Sequence, residues 1–77
     1  EKVDDELKVL LQRFRELTPK QIQVLSYLRA GLMNKQIAHE MNVTEATIKA
    51  HISAILRKLE INTRTQAVLL MDKLQLS

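Results

Sequence analysis

Residues 35–59 read KQIAHEMNVTEATIKAHISAILRKL, and this stretch decides the fold. Its apolar residues recur at helical spacing on both sides of a break at residues 42–44. Asn42 suits the left-handed position that ends a helix, and Thr44 is a good N-cap for the helix that follows. The stretch therefore predicts a short helix over about 35–41 and a longer one over 45–59, joined by a tight turn.

Two short helices joined by so tight a turn are typical of the helix-turn-helix arrangement. Many helix pairs of this kind bind DNA, but others serve only as scaffolding. The spacing alone leaves both interpretations open.

The longer helix has two unlike faces when its residues are placed about 100° apart. One face is apolar and is expected to be buried, and the other combines small residues with single cations. Small side chains let a helix approach the major groove, which is about 12 Å wide. The alternative is a solvated face that is rich in alanine because alanine favours helices. The apolar face is Ile48, Ile52, Ile55, Leu56 and Leu59; the other is Ala46, Ala50, Ser53, Ala54 and Arg57, with Thr47 and Lys49 at its flanks.

The segment before this pair begins with a strong helix-start signal. Thr18 can cap, Pro19 fits the first helical position, and Gln21 completes a capping box. This second helix is expected to end at Gly31 and to bury Ile22, Leu25 and Leu28. The start of the short helix is weaker, because Met33 cannot cap and Asn34 must serve instead.

Two further helices are expected at the ends of the chain. Thr63 and Gln66 form a second capping box, which predicts a last helix to about Leu74. A first helix is predicted over about Val3 to Arg15, either as a packed helix of the domain or as a linker from an upstream domain, or as both. Its apolar stripe is Val3, Leu7, Leu10, Leu11 and Phe14.

Composition supports one small helical domain. The chain has 77 residues with one glycine, one proline and no cysteine, so it carries no disulfide and suits a reducing cytoplasm. Its apolar runs are too short to span a bilayer. Residues 1–16 hold four basic and five acidic side chains, net −1, whereas residues 17–77 hold eight basic and four acidic, net +4. The basic part suits a polyanionic partner.

Enzyme chemistry is not expected. The two histidines, His39 and His51, have no second ligand at metal-binding spacing, and the single glycine excludes a Gly-rich phosphate loop. We therefore expect no catalytic residues, no cofactor and no metal. RNA is a poor partner because Phe14 and Tyr27 are the only aromatic residues available for stacking.

The motifs, taken together, resemble the C-terminal DNA-binding domain of LuxR/NarL/FixJ-type bacterial transcription regulators. The resemblance covers about residues 17–70 and has the spacing of that family. It rests on LTPKQxxVL at 17–25, GLxNKQIA at 31–38, VTxxTIKAH at 43–51, IxxKL at 55–59 and RTQA at 64–67.

The resemblance implies a four-helix domain over 17–77, preceded by a linker helix over 1–16 from an upstream regulatory domain, most simply a phosphorylatable receiver. It implies sequence-specific binding of double-stranded DNA, with the helix 45–59 in the major groove and a homodimer formed through the last helix, 65–74. The base-facing residues would be Lys49, Ala50 and Ser53; the phosphate-facing ones Asn34, Lys35, Thr47, and Arg57 or Lys58; and the dimer contacts Leu69, Leu70, Met71 and Leu74.

Three positions depart from the family pattern. Met33 replaces the usual Ser or Thr, and Gln21 and Gln36 replace the usual Glu. Glutamine keeps the capping-box geometry but loses the charge. The alternative from a different class is a helical dimerisation or protein-docking module that uses the apolar last helix and does not bind DNA.

Overall fold

The computed structural model describes the backbone of residues 2–75 and the side chains of residues 5–74. The regular structure in this part of the chain is entirely α-helical, which confirms the all-α prediction. No helix found there is both long and apolar enough to cross a membrane. The helices are α1 (Lys2–Arg15), α2 (Pro19–Arg29), α3 (Asn34–Met41), α4 (Glu45–Leu59) and α5 (Arg64–Gln75).

The start of α2 is set by the predicted capping box. The backbone N–H of Gln21 donates to Thr18 Oγ1 at 3.1 Å, and the backbone N–H of Thr18 donates to Gln21 Oε1 at 3.0 Å. The helix ends before Gly31, whose φ of +91° lies in the left-handed region that glycine tolerates. Both predicted ends of α2 are therefore confirmed.

The prediction of which α2 residues are buried was wrong at one position. Ile22 is 44% exposed, and Val24 is fully buried instead. The buried set is Gln21, Val24, Leu25 and Leu28, which is the spacing i, i+3, i+4 and i+7 of a helix stripe. Gln21 takes the place in that stripe that an apolar residue would normally occupy.

The start of α3 differs from the prediction by one residue. Met33 occupies the N-cap position with extended backbone, and Asn34 is already the first helical residue, so Asn34 does not cap. The backbone N–H of Met33 donates to Gln36 Oε1 at 2.8 Å. The thioether of Met33 is only a weak acceptor, so the backbone N–H of Gln36 lacks the strong side-chain cap that a hydroxyl would provide.

The turn between α3 and α4 is the predicted one. Asn42 has φ 57° and ψ 47°, the left-handed conformation expected at the end of a helix. Its backbone N–H and that of Val43 donate to carbonyls in the last turn of α3. The chain thus leaves α3 and enters α4 at Glu45 without a longer loop.

The connection from α4 to α5 uses a second left-handed residue that sequence reasoning did not identify. Glu60 has φ 56° and closes α4 at Leu59. The predicted capping box then starts α5, because Gln66 Oε1 accepts from the backbone N–H of Thr63 at 3.1 Å and Thr63 Oγ1 accepts from that of Gln66 at 3.2 Å.

Helix α4 lies at the centre of the fold and packs against each of α1, α2, α3 and α5. One apolar core joins these helices, and α4 supplies a row of four residues to it. Met41, the last residue of α3, is half-buried at the edge of this core. The buried apolar residues are Leu17, Val24, Leu25, Leu28, Ile37, Ala38, Ile48, Ile52, Ile55, Leu59 and Ala67.

Helix α1 packs on α4, so the helix predicted as a linker is docked on the domain. Phe14 packs against the core, and Arg13 lies 3.4 Å from Glu60, next to the end of α4. Leu11, expected in the apolar stripe, is exposed. Some of the predicted positions lie outside the described residues. These are the side chain of Val3, expected in the apolar stripe of α1, and residues 1, 76 and 77 at the ends of the chain.

Candidate nucleic-acid interface

The N-terminus of α4 is held by its cap. Thr44 Oγ1 accepts from the backbone N–H of Thr47 at 3.2 Å, and the two threonine hydroxyls lie 3.0 Å apart. Thr47, predicted to face phosphate, is half-buried beside this cap. The hydroxyl-to-hydroxyl contact orients the Thr47 side chain at the helix end, where the positive end of the helix dipole favours an anion.

The inner face of α4 is committed to packing, as predicted. Ile48, Ile52, Ile55 and Leu59 are buried. Because residues of a helix lie about 100° apart, the opposite side is the arc of Ala46, Ala50, Ser53 and Arg57. All four are exposed, as is Lys49 at the flank of the arc. We call this arc the outer face of α4.

The three residues predicted to face bases therefore share one exposed region of α4. Lys49, Ala50 and Ser53 lie in the second and third turns of the helix. Ala46, which was not among the predicted site residues, lies on the same face one turn earlier and is also exposed. Its spacing of i−4 from Ala50 had already placed Ala46 on this face from the sequence alone.

Two of the predicted phosphate-facing residues lie at the start of α3. Lys35 is exposed, and Asn34 is half-buried. The Oδ1 atom of Asn34 is buried without a hydrogen-bond partner among the described residues. The amide nitrogen is the donor that this side chain can offer to an anion.

Arg57 and Lys58 were alternatives for a phosphate contact near the end of α4, and the structure separates them. Arg57 is exposed on the outer face. Lys58 points to the other side, where its Nζ donates to the carbonyl oxygen of Glu16 at 2.9 Å and to Gln21 Oε1 at 3.1 Å. Lys58 therefore hydrogen-bonds within the domain, whereas Arg57 stays exposed on the outer face.

This contact of Lys58 has a clear physical reason. The carbonyl of Glu16 follows the last turn of α1, where helix carbonyls lack partners and a cation is favoured. Gln21 is buried, and its Oε1 accepts from both the Thr18 backbone N–H and the Lys58 amine. Sequence spacing could not reveal these contacts, because Glu16 and Gln21 lie 42 and 37 residues before Lys58 in the chain.

The residues predicted to form the dimer contact on α5 differ in exposure. Leu69 is 61% exposed. Leu70 and Leu74 are half-buried, and Met71 is half-buried because it packs against the core. Met71 therefore uses part of its side chain to contact this domain. Nearby, Asp72 forms an ion pair with Arg29, which ties α5 to α2.

The arrangement is a helix-turn-helix unit whose second helix offers a small, mildly cationic outer face. A family model described as bacterial regulatory proteins of the luxR family matches residues 15–71. The chain belongs to the LuxR family. This confirms the resemblance found in the sequence motifs, and the domain is a DNA-binding domain of transcription regulation.

Individual members of the LuxR family are similar over most of this chain. The glycerol metabolism activator of Pseudomonas putida is 53% identical over 53 residues, which are 69% of this chain and 24% of that protein. The nitrate/nitrite response regulator protein NarP of Escherichia coli (strain K12) is 46% identical over 57 residues, 74% of this chain and 26% of that protein. These LuxR relatives are named as regulators, and they indicate no enzymatic family.

A solved structure shares the fold. The response regulator StyR, described in a low-resolution structure, superposes with a TM-score of 0.88 at 38% identity, covering 94% of this chain and 36% of StyR. The chain thus spans about a quarter to a third of the LuxR-family proteins it matches.

Proposed function

We propose that this domain binds a specific sequence of double-stranded DNA by placing the outer face of α4 in the major groove. The observation that carries the proposal is the contrast between the two sides of α4. Its inner face packs against all the other helices, and its outer face combines short side chains with exposed cations at Lys49 and Arg57. Short side chains remove the steric barrier to entering the groove, and the cations supply attraction to phosphate.

Within this proposal the contacts divide into two classes. Lys49, Ala50 and Ser53 face base edges from the second and third turns of α4, since the N-terminal part of a recognition helix is the part that reaches the bases. The phosphate contacts come from the flanks, where each donor meets one backbone oxygen. These flanking residues are Asn34, Lys35, Thr47 and Arg57.

The first test is the salt dependence of binding to duplex DNA. Neutralising a few phosphates predicts a log–log slope of roughly −3 to −5 per monomer, at about −0.9 per phosphate. Binding that is unchanged between low and moderate salt would reject the DNA proposal and favour the alternative of a helical dimerisation or protein-docking module.

The second test compares Lys49→Ala with Arg57→Ala on duplexes obtained by in vitro selection. Loss of Lys49 should cost about 1–3 kcal/mol on the preferred duplex and relax the preference at one base pair, because lysine donates to guanine O6 or N7. Loss of Arg57 should weaken all duplexes alike and reduce the salt slope by about 1. Lys73→Ala, an exposed cation on α5, is the matched control.

We further propose that two copies pair on DNA through α5, with Leu69 at the centre of the contact. Leu69 is the most exposed of the predicted contact residues, whereas Met71 is partly used by the core. A symmetric pair would occupy half-sites about one helical turn, ~34 Å, apart or at a related spacing.

The longer protein is proposed to be a cytoplasmic response regulator in which a phosphorylatable receiver precedes α1. Two observations support this: relatives such as NarP and StyR are named response regulators, and this chain spans only 26% and 36% of them. The test is to treat the longer protein with a small-molecule phosphoryl donor and to look for a phosphorylated aspartate upstream of α1. Absence of any phosphorylation there would reject the receiver.

A further inference from the structure

The outer face of α4 offers few hydrogen-bonding groups to bases. Ala46 and Ala50 are exposed and end in a methyl group, and Ser53 contributes one short hydroxyl. Among the exposed cations of α4, Lys49 lies in the second turn and Arg57 only in the last. Lys58 is withdrawn from this face by its bonds to Glu16 and Gln21.

This composition restricts how the helix can discriminate between sequences. One lysine specifies about one guanine, and a serine can donate or accept and so discriminates weakly. Reading a site of several base pairs therefore needs a further kind of contact. The apolar group that bases present in the major groove is the 5-methyl of thymine, which alanine contacts well.

We propose that Ala46 and Ala50 read thymine 5-methyl groups in the preferred duplex. This inference rests on the proposed function, since it assumes that α4 lies in the major groove. The two residues are one helical turn apart, and at about 1.5 Å per residue their methyl groups lie about 6 Å apart along the helix. That separation is close to two base-pair steps of about 3.4 Å, so each alanine meets a different thymine.

The position of α4 in the fold supports two close methyl contacts. Both alanines lie opposite the buried row of Ile48, Ile52 and Ile55, so the packing of the core fixes the direction in which they point. An alanine side chain has no rotamer to lose, so its contact with a thymine methyl has little entropic cost.

The experiment replaces each thymine of a duplex obtained by in vitro selection, one at a time, with deoxyuridine. This change removes the 5-methyl group and keeps base pairing. We expect Kd to rise about fourfold at each of two positions, the value for one buried methylene-sized group, and to stay constant at thymines outside the contact.

Protein variants locate which alanine reads which thymine. Ala50→Gly should weaken binding to the parent duplex about fourfold and should abolish the effect of deoxyuridine at one position only. Ala46→Gly should do the same at the other position. Ser26→Gly, at an exposed site of α2, is the control for loss of helix propensity, and thermal unfolding verifies that each variant is folded.

The results separate this inference from the proposed function. If the selected duplex is bound selectively but no deoxyuridine changes Kd, thymine reading is refuted and DNA binding stands. An equal loss at every thymine, unchanged in the alanine variants, indicates readout of duplex shape and also refutes it. If no duplex is bound selectively, the proposed function and this inference fall together.

Discussion

Lys58→Met tests whether the cation at the end of α4 serves the fold or the DNA. Methionine keeps most of the apolar stem and removes the amine that binds Glu16 and Gln21. Hydrogen bonds to a charged group contribute about 1.5–3 kcal/mol when buried, but Lys58 is only half-buried and solvent weakens them. Gln21 Oε1 also keeps its bond from Thr18. We expect the free energy of unfolding to fall by about 1–2 kcal/mol.

The assay is urea or thermal unfolding followed by circular dichroism. In a domain of this size each kcal/mol corresponds to about 4–8 °C in Tm, so the change is easily measured. Lys8→Met, at an exposed position of α1, is the control. Equal stabilities of the two variants would refute the structural role of Lys58. The salt slope of DNA binding should not change in Lys58→Met, and a decrease of about 1 would return Lys58 to the phosphate contacts.

Three further changes test other parts of the structure. Met33→Ser should stabilise the domain by about 0.5–2 kcal/mol, because it supplies a strong cap at a position where the methionine is 70% exposed and loses little packing; destabilisation in urea would contradict this. Glu60→Gly should stabilise by about 0.5–1 kcal/mol by relieving the left-handed backbone at φ 56°, with Glu60→Ala as the control that keeps the strain. Leu69→Lys should leave Tm within about 2 °C, since Leu69 is exposed, and should abolish cooperative binding to paired half-sites; if it unfolds the domain, Leu69 is part of the fold.

Helix boundaries were predictable here because local residues determine them. Thr18, Thr44 and Thr63 each cap the following helix, because the threonine hydroxyl accepts from the backbone N–H three residues later, and this spacing is visible in the sequence. The left-handed Asn42 was equally visible. The left-handed Glu60 was not visible, because glutamate has no preference for that conformation. Its neighbours Leu59 and Ile61 both pack into the core, and that packing belongs to the tertiary structure.

Buried faces were less predictable in the shorter, less regular stripes. On α2, either Ile22 or Val24 is compatible with burying Leu25 and Leu28, and only the position of α4 and α5 decides that Val24 is inside. The partial burial of Met71 has the same cause, because α5 carries more apolar residues than one narrow core stripe can accept. Contacts between distant segments decide which of these apolar residues are buried, and sequence periodicity carries no information about such contacts.

The central position of α4 separates the residues that stabilise the fold from those proposed to contact DNA. The inner residues of α4 are buried in the shared core, so a substitution there changes stability before it changes binding. Residues 46, 49, 50 and 53 are exposed and contribute nothing to the buried core. They can therefore vary with little effect on the fold, apart from helix propensity. If α4 lies in the major groove as proposed, we expect substitutions at these four positions to change DNA sequence preference while the helix-turn-helix scaffold stays the same.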